Sequence, residues 1–180
     1  MKIESTKIED CYLITPEVSE DFRGEFVETW HKEYYKAGIL PQDIDWKTDA
    51  FSYSLHSVLK GLHGDWKTWK LVQTISGCIF LSVIDCRRGG KTYGEEVSLV
   101  LSTRTHRQIL IPPGCANGHL CLSDMCIFHY KQSEFYDPKN QFTVDYKDET
   151  LDIDWPIKTG LILSKRDRSG SRFINIERKT

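Results

Sequence analysis

Short runs rich in Val, Ile, Phe and Tyr recur along the chain between clusters of Gly, Pro, Asn, Asp and Ser, a pattern that predicts an all-β protein. In residues 78–84, Ile79, Leu81 and Val83 alternate with Phe80, Ser82 and Ile84, so both faces of the segment are largely apolar. A strand of that kind belongs inside a sandwich or barrel. Arg88-Gly89-Gly90-Lys91 predicts a hairpin loop after it, residues 97–101 the next strand and 106–111 a third. Pro112-Pro113-Gly114 breaks the chain, and 112–119 (PPGCANGH) reads as a rigid turn leading back into a strand at 120–122. Strands are also expected at 126–130 and 142–146. Helix is scarce: 30–36 (WHKEYYK) predicts a short one stopped by Gly38, and 157–180 reads as loop with a turn of helix. Many short strands of similar spacing predict a jelly roll or cupin-like barrel with short peripheral helices. Such a barrel has an interior where a small molecule can bind.

Composition narrows this picture without changing it. At 180 residues the chain suits a single domain, 1–180, able to bury a core without staples. The formal net charge is −2 with Lys and Arg scattered, which argues against a nucleic-acid partner or an acidic membrane surface. The first ten residues, MKIESTKIED, have no signal-like apolar run, and no stretch approaches a membrane span. The expected location is therefore the cytoplasm. Six cysteines, at 11, 78, 86, 115, 121 and 126, form no CxxC pair and lie mostly among apolar residues, so reduced, buried thiols are expected.

Three segments offer chemistry. In Leu59-Lys60-Gly61-Leu62-His63-Gly64-Asp65 a histidine next to glycine sits where backbone and ligand can approach closely, or it is a surface-loop histidine. The 112–119 segment is a candidate site or a structural corner. In Ile127-Phe128-His129-Tyr130-Lys131-Gln132, the two-residue strand period puts Tyr130 on one face with Phe128 and Cys126. If that face is inward, a phenol enters an apolar cavity; otherwise Tyr130 is a core residue with a satisfied hydroxyl. There is no G-x-S-x-G elbow, P-loop, dinucleotide glycine pattern or HExxH.

Taken in order, these segments resemble the nucleotide-sugar 3,5-epimerases over nearly the whole chain. Asp21-Phe22-Arg23-Gly24-Glu25-Phe26-Val27-Glu28 matches the family's D-x-R-G-x-F-x-E. Ser52-Tyr53-Ser54, Val58-Leu59-Lys60-Gly61-Leu62-His63 and Lys70-Leu71-Val72 follow. Then come Asp85-Cys86-Arg87, Thr92-Tyr93-Gly94, Pro113-Gly114-Cys115-Ala116-Asn117-Gly118-His119, Tyr130-Lys131 with Tyr136, Trp155-Pro156, and Leu163-Ser164-Lys165-Arg166-Asp167. The chain departs from the usual pattern at Lys60 (usually Arg), at Gly64-Asp65 (usually Tyr-Gln), at Thr48 and Ala50, and at Asn117 and His119, which replace a histidine and a phenylalanine. With His63-Gly64-Asp65 and Lys67-Thr68, these departures resemble a subgroup acting on GDP-linked 4-keto-heptoses in bacterial capsule synthesis.

The resemblance implies proton removal beside a 4-keto group and its return from the opposite face, through an enolate. His63 would be the base and Tyr130 the acid, because an imidazole accepts a proton near neutral pH and a phenol keeps its own. Asp167 would hold the imidazole's tautomer, and Lys70 would stabilise the enolate oxygen. Arg23, whose guanidinium suits phosphate, and Lys60 would bind the pyrophosphate, and Glu28 the base or ribose. Ser52, Asn117 and His119 complete the expected substrate-binding set. A homodimer with an exchanged N-terminal segment is implied, in which Arg23 and Glu28 serve the neighbour's site. No cofactor is expected. Nor is a metal, since His63 is followed by Gly64 rather than by a second spaced histidine; His119 with His129 is the one alternative pair. Two rival readings are a keto-sugar isomerase of the same fold and a non-catalytic nucleotide-sugar binding module.

Overall fold

Among the described residues, thirteen strands form two facing antiparallel sheets and a separate hairpin. The computed structural model describes residues 1–33 and 44–178, so residues 34–36 of the helix expected at 30–36 lie outside the described residues. One sheet has six strands in the order β1 (Lys2–Ser5), β2 (Tyr12–Thr15), β10 (Gln108–Ile111), β7 (Lys70–Ser76), β12 (Met125–Gln132), β5 (Thr48–Leu55). The other has five, in the order β13 (Gln141–Thr143), β6 (Leu59–Asp65), β11 (Cys115–Cys121), β8 (Cys78–Asp85), β9 (Glu96–Ser102). The hairpin pairs β3 (Val18–Asp21) with β4 (Gly24–Val27). This is the jelly-roll, cupin-like architecture that the strand spacing predicts.

The two apolar faces of β8 each find a core. Ile79, Leu81 and Val83 join Val72, Ile109, Ile111, Cys126 and Phe128 of the six-stranded sheet in the space between the sheets. Phe80 and Ile84 face the other way and pack with Leu59, Leu62, Tyr146, Trp155 and Phe173, where the C-terminal segment covers the five-stranded sheet. Each fully buried Leu or Ile contributes roughly 1.5–3 kcal/mol, so β8 is held from both sides. Five cysteines are buried and Cys78 is half-buried; all six are free thiols, as expected. Burial pushes the Cys11 and Cys86 thiols up to about 12, which keeps them protonated.

The structure shows what Asp85-Cys86-Arg87 does. Asp85 is fully buried and accepts hydrogen bonds from Arg87 Nε at 2.9 Å, Arg87 Nη2 at 2.8 Å and Thr92 Oγ1 at 2.6 Å. A bidentate pair of this type ties down the loop from β8 to β9, the hairpin expected at 88–91. Two expectations need correction. The 112–119 segment is a turn only through Gly114; Cys115 to His119 is already strand, in register with β8 from Cys115↔Asp85 onward. The His63 segment is not a surface loop but β6, a strand paired on both sides. Asn and Gly disfavour strands by themselves, but neighbours on both edges override that preference.

Candidate active site

The site begins with an irregularity in β6. Asn117 pairs with His63 and His119 with Lys60, so three steps on β6 face two on β11. The extra residue is a β-bulge at Gly61, whose φ of +122° favours glycine. A Cβ there would lie 2.5 Å from Gly118 Cα and 2.7 Å from Asn117 O, so any side chain would push the two strands apart. A regular strand would send Lys60 and His63 to opposite faces. The bulge instead leaves both close enough to His119 to act on its charge state.

His63 is held by an acidic partner from the far end of the chain. Its Nε2 lies 2.6 Å from Asp167 Oδ1. Asp167, 2 % exposed, sits in the short helix α1 (Lys165–Arg168) and also accepts Ser164 Oγ–H at 2.6 Å and Gly61 N–H at 3.3 Å. Burial by itself would raise this carboxyl, but hydrogen bonds from His63 and Ser164 bring it down to about 2. Asp167 is therefore ionised at neutral pH and favours a proton on Nε2, leaving Nδ1 with the lone pair.

Two further groups complete the centre. Lys70, on β7 in the opposite sheet, donates from Nζ to His63 O at 3.2 Å and to Asn117 Oδ1 at 3.1 Å. Burial lowers its ammonium to about 8, against a smaller upward pull from Asp65. Tyr130, on β12, shares its face with Phe128, the ring centroids 5.8 Å apart, and packs against the core between the sheets. The inward reading of that face is the one observed. His63 and Tyr130 thus rise from opposite sheets, with a cation beside them.

Such a centre can take a proton on one side of a flat substrate, return one on the other, and steady a negative charge between. The sequence profile described as dTDP-4-dehydrorhamnose 3,5-epimerase matches residues 5–175. This chain belongs to that family. It is 36 % identical over 170 residues to dTDP-4-dehydrorhamnose 3,5-epimerase of Escherichia coli K12, covering 93 % of this chain and 91 % of the relative. It is 37 % identical to the Methanothermobacter thermautotrophicus enzyme, covering 91 % and 90 %. Among solved structures, dTDP-6-deoxy-D-glucose-3,5-epimerase from Legionella pneumophila, in complex with dTDP-4-keto-L-rhamnose, superposes with a TM-score of 0.92 at 34 % identity over 98 % of this chain and 94 % of that one. The chain is thus an epimerase, which sets the enzyme reading above the non-catalytic module.

Within the epimerase, the expected site residues divide into two groups. His63, Asp167, Lys70 and Asn117 are joined by direct hydrogen bonds, and Tyr130 lies in the same sheet as Lys70, on the strand next to it, opposite the sheet that carries His63 and Asn117. Lys60 crosses to the other sheet, donating from Nζ to Tyr53 O at 3.1 Å. Ser52 is half-buried on β5 opposite Phe128, and His119 is buried, stacked on Phe128. Arg23 and Glu28 stand apart. Arg23 is exposed at the tip of the β3–β4 hairpin, its Nη2 2.6 Å from Asp21, and Glu28 is exposed just after β4. Among the described residues neither bonds to any member of the centre. His119 and His129, the alternative metal pair, diverge: His129 turns outward to Gln73 and Asp49, whereas His119 lies inside.

Sequence reading missed two contributors. Ser164 caps α1 by accepting Asp167 N–H at 3.1 Å and hydrogen-bonds the carboxylate itself. Its signal was present as Ser164-Lys165-Arg166-Asp167, an S-x-x-D capping pattern. Gly61 supplies both the bulge and an N–H to Asp167, and only the strand register reveals the bulge.

Proposed function

We propose that this epimerase inverts C3, C5 or both of a nucleotide-linked 4-keto-6-deoxy sugar through an enolate. The carrying observation is the 2.6 Å contact of His63 with buried Asp167, opposite Tyr130 and beside Lys70. The 4-keto group acidifies the neighbouring C–H. His63 Nδ1 takes that proton, Asp167 steadies the imidazolium, and the Lys70 ammonium neutralises the enolate oxygen. Tyr130 gives its phenolic proton to the carbon from the other face.

Ligand names of the solved relatives favour a dTDP-linked substrate: one holds dTDP-4-keto-L-rhamnose, and the Bacillus anthracis enzyme holds TDP and pyrophosphate. A GDP-linked 4-keto-6-deoxy-heptose, for capsule or other surface polysaccharide, is the second reading. It rests on Lys60, Asn117 and His119, which depart from the usual pattern and all lie at the centre. Proton NMR in heavy water separates the two. Loss of the C3 or C5 signal, with a new diastereomer, is expected for the matching nucleotide and sugar. A product whose carbonyl has moved would instead mark a keto-sugar isomerase. No exchange with any 4-keto sugar, dTDP- or GDP-linked, hexose or heptose, would overturn the proposal.

The site is completed by a second copy of the chain. Arg23 and Glu28 do not reach His63 in their own chain, and the outer face of β5 exposes Phe51, Tyr53 and Leu55 at 68 %, 54 % and 54 %. A patch of this kind marks an interaction surface. Sedimentation should give a dimer, with Arg23→Ala weakening nucleotide binding; a monomer at working concentration would sink this arrangement. Among the described residues no helix is long and apolar enough to cross a membrane.

A further inference from the structure

The strand registers arrange the inward side chains in layers. Asn117 lies across from His63, and two residues along β11 His119 lies across from Lys60. Two residues of strand span about 6.5 Å. His119 therefore occupies the layer next to the reacting groups, within reach of a substituent on a sugar held between His63 and Tyr130. Its ring is 3 % exposed and stacks on Phe128, centroids 4.2 Å apart and planes 16° from parallel. Its Nε2 is buried with no hydrogen-bond partner among the described residues. Buried polar atoms are nearly always paired, so an orphan inside a binding barrel points to a missing ligand atom.

We propose that His119 is a specificity-determining residue whose Nε2 hydrogen-bonds a hydroxyl on the exocyclic substituent of the bound sugar, so that the epimerase selects a hydroxyl-bearing chain over a methyl group at that position. The inference rests on the epimerase reading above and narrows its substrate class. Burial pushes the His119 imidazole down to about 3, helped by the electrostatic influence of nearby Lys60 and His63 and opposed by Asp167. It is neutral at working pH. A neutral ring stacked on phenylalanine suits a hydroxyl, which can both donate and accept, better than a phosphate, which calls for a cation. Lys60, in the same layer, already supplies the cation. A methyl substituent would leave Nε2 unpaired, and sites built around a polar partner reject analogues that lack it.

The test compares kcat/KM for two 4-keto-6-deoxy substrates on the same nucleotide: a hexose ending in a methyl group and a heptose ending in a hydroxymethyl. The nucleotide is the one that supports His63-dependent deuterium exchange. Wild type should favour the heptose by about 10- to 100-fold, the range set by one unpaired buried polar group. In His119→Phe that ratio should collapse towards one, and His119→Gln, which keeps a hydrogen-bonding amide, should restore part of it. Circular dichroism and Tm confirm that each variant is folded. A wild-type ratio near one, or a His119→Phe ratio within threefold of wild type, would overturn the proposal and leave an ordered water as the partner. Equal losses on both substrates would also overturn it, assigning His119 to the shared nucleotide or to the barrel wall. Exchange with wild type but not His63→Ala, seen on either substrate, upholds the epimerase reading whatever the ratio shows.

Discussion

Replacing His63 with alanine should lower kcat by about 10³- to 10⁴-fold, the upper range for loss of a general base. The residue has no substitute in place. Asp167 is the nearest acidic group, but it is 2 % exposed, hydrogen-bonded by Ser164 and Gly61, and held at about 2, far too weak a base for a carbon acid. Lys70 is committed to His63 O and Asn117 Oδ1. The loss should appear in kcat with KM little changed, because the imidazole acts on the reacting proton. Deuterium exchange at C3 and C5 should vanish with it. A variant that still exchanged at a tenth of the wild-type rate would remove His63 from the role of base.

The second large effect is at Lys70. Lys70→Met should reduce kcat by about 10²- to 10³-fold, the usual cost of removing a preorganised charge partner of an oxyanion. Stability carries its own signature. The ammonium is 8 % exposed and its folded value is about 8, against an ordinary 10.5. Between those values the unfolded chain binds more protons than the folded one, so wild-type stability should rise with pH across about 8 to 10.5. The full difference is roughly 3 kcal/mol, withheld from the fold below pH 8. Denaturant titrations at pH 7 and pH 10 should show that rise in wild type and its absence in Lys70→Met. Wild-type activity should decline over the same rise through pH 8, as the ammonium loses its proton. A flat stability profile in wild type would mean that Lys70 is hydrated in solution.

The stability cost at Lys70 has a structural reason. A lysine between two sheets, with Val72 of the same strand in the core, opposes the hydrophobic packing that shapes the barrel. It is tolerated because His63 O and Asn117 Oδ1 accept its protons, and those acceptors exist only where β6 and β11 pair. The bulge at Gly61 similarly interrupts an otherwise regular strand and brings His63 to Asp167. Departures from regular packing thus cluster where the chemistry is, as expected of a functional site.

Much of this was legible in the chain. The double-sided apolar run at 78–84 placed β8 in the middle of the fold, because a strand buried on both faces leaves no polar positions to read as exposed. The Pro-Pro-Gly break, the Arg88 to Lys91 hairpin and the face that Tyr130 shares with Phe128 and Cys126 followed from turn chemistry and the two-residue period, while packing in the structure made that face inward. His63, Lys70, Tyr130 and Asp167 could be named through the ordered motifs. β6 was hidden, since two glycines, a lysine and a histidine in seven residues mimic a loop, and only its neighbours β11 and β13 make it a strand. The sequence by itself determined the fold class and which side chains share a strand face, both of which depend on local periodicity and composition, while the candidate reacting groups came from the order of motifs that resembles the epimerase family. Tertiary structure alone decided how Asp167, 104 residues away, is buried and hydrogen-bonded around His63, that a bulge brings Lys60 and His63 to one side of β6, that Arg23 stays outside its own barrel, and that His119 lies neutral and, among the described residues, unpaired beside the centre. Those are distances and burials between segments far apart in the chain, and no pattern along one strand encodes them.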